Sequence, residues 1–288
     1  MANLKIILKP CLWIFLALIP HANAQTLGLL DDGLSPLERY AAGTKITGVY
    51  KAENSLYCSP SAKSKYIPEA LPESTVHFQT RYSSVTAGTA LTEVNRIASQ
   101  ALATLSLYGD SETVNKYICT SFYREKESQT GNAKSHVHGY MIFDFNLFQH
   151  LNALPDDKKS FWIYDFLVLH EFAHQLQFWN ADEEMLRALK GEQSAKISEL
   201  AADCTAAALL KLMNLNLSQQ EFAQLFQGAT GVAHLLGDFS KDSLSHHGTP
   251  AERTFATSYG VGYISSLFEN ISSKNILNAC NQFANQFL

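Results

Sequence analysis

The chain has 288 residues, 46% of them hydrophobic and 17% charged, an ordinary balance for a globular protein with one large core or two modest ones. With 27 acidic against 22 basic residues and no basic stripe, it argues against nucleic acid or anionic lipid as a partner.

Lys5 and Lys9 lead into an apolar run, Cys11 to Ile19, that is short for a bilayer span. Pro20 breaks the run, and Ala22-Asn23-Ala24 supplies small residues at a cleavage position, so residues 1–24 read as a secretory signal peptide. Its removal leaves 20 basic against 27 acidic residues, a net charge of −7. The mature protein is then expected to be exported, periplasmic or extracellular, with no stable membrane insertion. Four cysteines remain, Cys58, Cys119, Cys204 and Cys280, an even set that suggests two disulfides with three connectivities open.

Residues 25–75 read as a leader and loop segment, rich in serine and carrying Pro60, Pro68 and Pro72. Thr75 to Tyr82 alternates like a strand, and Ala90 to Leu107 repeats apolar residues at helical spacing. Val114 to Tyr123 and Val137 to Phe145 are rich in β-branched and aromatic residues and predict strands, with a turn over Glu125 to Ser135. An exposed edge at Gly139 to Phe145 would suit an extended peptide; an interior strand fits the same pattern. Helices are expected over Asp157 to Trp179, capped by Asp156 and Asp157, and over Glu183 to Lys190, Ser194 to Met213, Ser218 to Leu236, Ala251 to Phe268 and Asn275 to Phe287. The pattern predicts an α+β class: a small antiparallel sheet, an active-site helix, then a mostly helical C-terminal half.

The strongest chemical signal is His170-Glu171-Phe172-Ala173-His174. Residues four apart share a helix face, so two imidazoles can reach one ion while Glu171 stands beside them to take a proton from metal-bound water. The motif lies in an apolar run, Phe166 to Leu169, where unpartnered polar side chains would be costly. Of the downstream acids Glu183, Glu184, Glu192 and Glu199, the last is the best third ligand, because small apolar residues surround it. Asp203, one turn on, is placed to accept a hydrogen bond from the outer N–H of a ligand histidine. His246-His247-Gly248-Thr249 forms a loop ahead of Arg253, and either His247 or Arg253 would stabilise an oxyanion if held over the metal.

HEFAHQ at 170–175, ELAADC at 199–204, His247-Gly248-Thr249 with Arg253, and Cys280 follow one order that resembles the bacterial neutral zinc metallopeptidases. These are gluzincins, similar in metal-site logic to thermolysin-like enzymes. Tyr140 to Phe148 looks like that family's strand before the active helix, so the resemblance covers residues 137–288 in short islands. It implies a zincin-like domain over residues 76–288, one Zn2+ on His170, His174 and Glu199, and Glu171 as general base. It also implies a Cys204–Cys280 disulfide, leaving Cys58 with Cys119. Ala173 stands where the family usually has Gly, and Ala201 where it has Gln. The activity implied is a zinc endopeptidase acting on a peptide or protein. Two other readings stay open: a zinc hydrolase of non-peptide amides or esters, and a non-catalytic exported binding protein that retains the scaffold.

Overall fold

A computed structural model of the chain describes residues 78–79, 84–85, 87–108, 110, 118–123, 133–136, 140–144, 147, 151, 162–180, 192–237, 247–264 and 271–287. The expected signal peptide, leader, Asp156–Asp157 cap and Glu183 to Lys190 helix lie outside these residues, as does Cys58.

β1 (Phe78–Gln79) and β2 (Ser84–Val85) pair antiparallel. β3 (Cys119–Tyr123), β4 (Ala133–His136) and β5 (Tyr140–Asp144) lie side by side in the order β3-β5-β4. β5 runs parallel to β3, with Cys119 opposite Tyr140, and antiparallel to β4, with Ala133 opposite Phe143. Met141 and Phe143, two apart and therefore on one face, are fully buried.

The expected α+β class with a small antiparallel sheet is thereby corrected. The described residues are mostly helical. Their strands span only two to five residues, and the three-stranded set is mixed. Alternation along the chain reveals a strand but not the direction of its neighbour. The polar Ala-Lys-Ser-His of β4, three of its four residues inside the expected turn, conceals a pairing segment altogether.

Helix α1 (Ala87–Leu107) buries Val94, Ile97, Ala98, Ala101, Leu102 and Leu105, one face at spacings of three and four. α2 (Trp162–Asn180) is buried on every side from Trp162 to Ala173, which makes it a central helix. α3 (Glu192–Leu212) is buried without a break from Leu200 to Leu210. Its small residues Ala201, Ala202 and Ala206 to Ala208 let neighbours come close. α4 (Gln219–Leu235) begins with a capping box: Ser218 Oγ accepts from Glu221 N–H, and Glu221 accepts from Ser218 N–H at 3.0 Å. α5 (Pro250–Ile264) repeats the device, with Glu252 accepting from Thr249 N–H at 2.8 Å and Pro250 at the first helical position. α6 (Ser273–Ala284) is capped by Ser272 and closes with a single 3-10 turn, Asn285–Phe287.

α3 is the hub, packing against α2, α5 and α6. At Gly260 the α5 backbone comes so near α3 that a Cβ would overlap the Cys204 carbonyl. Cys204 and Cys280, the pair implied by the resemblance, form a disulfide that staples α3 to α6, with Cα atoms 5.6 Å apart. No helix among the described residues is long and apolar enough to cross a membrane.

Candidate metal centre

α2 presents His170 and His174 one turn apart, their rings edge to face with centroids 4.8 Å apart. α3 brings Glu199 up to them. Glu199 Oε2 lies 3.2 Å from His170 Nε2, and Oε1 lies 3.4 Å from His174 Nε2. One donor atom from each residue falls within 4.8 Å of the other two. Two imidazole nitrogens and a carboxylate oxygen, three donors with room beside them, suit a divalent cation of intermediate softness that keeps one open position.

Both imidazoles aim Nε2 at Glu199 and turn Nδ1 outward to a partner. His170 Nδ1 lies 2.9 Å from Asp203 Oδ1, and His174 Nδ1 lies 2.8 Å from Gln177 Oε1. Outer bonds of this kind fix ring orientation and tautomer before a metal arrives.

Arg253 stands behind Asp203. Its Nε donates to Oδ2 at 2.6 Å, Nη2 donates to Oδ1 at 2.8 Å, and Nη1 donates to the Leu236 carbonyl at 2.9 Å. Nη2 also lies 3.7 Å from Glu199 Oε2. Burial works against the Asp203 carboxylate, yet the Arg253 charge and hydrogen bonds, with those of His170, hold its pKa below the usual range. Burial likewise opposes ionised Glu199, but bonds from His170, His174 and His247 hold its pKa well below the ordinary value. For His170, burial disfavours the cation, and the bonds and charges of Asp203 and Glu199 outweigh it, raising the pKa to about 10. Without a metal, a proton therefore occupies His170; a cation would displace it.

Glu171 is buried beside the ligands, and the Ser135 hydroxyl of β4 reaches its Oε2 at 2.9 Å and its carbonyl at 2.7 Å. Glu171, His170, His174 and Glu199 line one pocket of about 480 Å3, with Lys134 and Ser135 of β4 also on its wall. β5 is the middle strand, so an open edge at Gly139 to Phe145 is not what the pairing provides. β4 is the outer strand, with no described strand on its far side.

His247 is about half exposed at the pocket wall, with Nδ1 3.2 Å from Glu199 Oε1. Its loop is shaped by Gly248, whose φ of 97° favours glycine, and by the Thr249–Glu252 cap. Lys196 of α3 pairs with Glu252 at 2.7 Å and so ties that cap to the helix carrying Glu199. Arg253, by contrast, is 2% exposed and bound to Asp203, reaching the same pocket from its buried wall.

The structure thus gathers every residue singled out in the sequence, His170, Glu171, His174, Glu199, Asp203, His247 and Arg253, into one constellation. Sequence reasoning passed over Gln177 and Ser135. Gln177, three residues past His174 on one helix face, was open to discovery from spacing alone; Ser135 was hidden in a segment that reads as a turn. Compared with protein-family models, curated proteins and solved structures, the chain finds no match.

Proposed function

We propose that this chain is a zinc-dependent hydrolase, an exported endopeptidase that cleaves extended peptides. The observation carrying this reading is the convergence of His170, His174 and Glu199 within 4.8 Å, with the Glu171 carboxylate in the same pocket. The three would hold zinc, which when bound supplies a Lewis acid that brings the pKa of water toward neutrality and polarises a carbonyl. Glu171, steadied by Ser135, accepts the proton of the attacking water and delivers it to the amine nitrogen as the C–N bond breaks. His247, half-exposed at the pocket wall, donates toward the carbonyl oxygen as charge gathers there. Arg253 acts one step back, neutralising Asp203, which orients His170.

β4, with no described strand on its outer side, supports an extended peptide rather than a compact substrate, because it runs along the cleft wall through Lys134 and Ser135. The Cys204–Cys280 disulfide is in keeping with an oxidising compartment. The test is digestion of a broad peptide library by the purified protein, with and without chelator, read by mass spectrometry. Cleavage should vanish on chelation. Glu171→Gln should retain the metal and lose activity by ~10²- to 10⁴-fold, the usual share of a general base. Undiminished hydrolysis in that variant, or in excess chelator, refutes the reading.

A further inference from the structure

We infer that Gln177 is a positioning residue for the metal centre, fixing the tautomer of His174 and locking together the two helices that carry the ligands. Gln177 is 1% exposed and makes three hydrogen bonds to groups at the ligands. Its Oε1 faces His174 Nδ1 at 2.8 Å and accepts from Ser198 Oγ at 3.0 Å, while its Nε2 donates to the Ser198 carbonyl at 2.9 Å. That last bond decides the rest. A carbonyl only accepts, so the amide must turn its NH2 toward Ser198 O and its oxygen toward the imidazole. An oxygen facing Nδ1 requires the proton there, which makes Nε2, on the Glu199 side, the atom that would bind a metal. Ser198 immediately precedes Glu199, so the same amide ties the His174 turn of α2 to the ligand-bearing turn of α3.

The two ligand histidines are therefore held by unlike partners. Asp203 is a carboxylate balanced by Arg253, whereas Gln177 is neutral. A second outer carboxylate beside Glu171, Glu199 and Asp203 would add uncompensated negative charge to a buried site. An amide supplies the acceptor without the charge.

This inference rests on the metal-site reading above, and its test separates the two. Zinc affinity of the purified full chain is measured by competition with a chromophoric chelator for wild type, His174→Ala, Gln177→Met and Gln177→Glu. Gln177→Met keeps the volume and removes all three bonds; it should bind zinc ~10- to 100-fold more weakly, the usual cost of losing an outer-shell partner. Gln177→Glu, which restores an oxygen facing Nδ1 but adds a buried charge and loses the bond to the Ser198 carbonyl, should recover part of that loss. Long-range 1H–15N correlations of the zinc-loaded wild type should show His174 protonated at Nδ1. Wild-type affinity in Gln177→Met, or His174 protonated at Nε2, overturns the inference; the spectrum does so even if Gln177→Met fails to fold. Absence of zinc binding by the wild type overturns the metal-site reading itself.

Discussion

His170 lies between two carboxylates, Asp203 at Nδ1 and Glu199 at Nε2, so the metal-free centre is expected to respond to pH in a definite way. Its pKa, raised to about 10, exceeds the unfolded value of ~6.5. The pairing therefore adds stability that is complete below pH ~6.5 and lost as pH rises toward 10. Asp203 and Glu199 have the opposite sign. Their pKa values are depressed, so their contribution is present above the ordinary carboxylate range and lost as pH falls through the lower folded values. Thermal melts of chelator-treated protein should give a stability maximum between these limits. Zinc binding near pH 7.5 should release about one proton from His170, measurable by calorimetry in buffers of different ionisation enthalpy; no buffer dependence would show that His170 is already deprotonated. The residues of this centre were legible wherever their relation is local: His170 with His174, and Glu199 with Asp203, each stand one turn apart. The Arg253–Asp203 pair was not, since fifty positions separate them and no periodicity spans that distance.

At the scale of elements, the centre depends on how tightly α3 is held by its neighbours. Gly260 sets the α3–α5 approach, because any Cβ there meets the Cys204 carbonyl. Gly260→Ala should cost about 1–3 kcal/mol through overpacking, read from chemical denaturation. Gly262→Ala is the control: nothing lies within 4 Å of a Cβ at that position, so the gain in helix propensity should leave stability equal or slightly higher. Equal effects at the two glycines would show that backbone contact is not what sets the helix spacing. Helix α1 was readable because it carries its apolar face in its own sequence, with Val94, Ile97, Ala101 and Leu105 at helical spacing. The strands were not fully readable, because pairing is a property of two segments. The Ala-Lys-Ser-His of β4 has no apolar alternation, and only its partner β5 reveals it.

For the molecule as a whole, α3 joins site and scaffold. It carries Glu199 and Asp203 at one end of its buried stretch and is covalently fixed to α6 through Cys204 just beyond them. The measurement that tests this account most directly is the metal content of the purified full chain after exposure to zinc, with X-ray absorption to identify the donors. The account expects one zinc per chain, bound by two imidazole nitrogens and carboxylate or water oxygen, and lost in His174→Ala. A wild-type protein that takes up no zinc, or one that holds it equally well without His174, would contradict it.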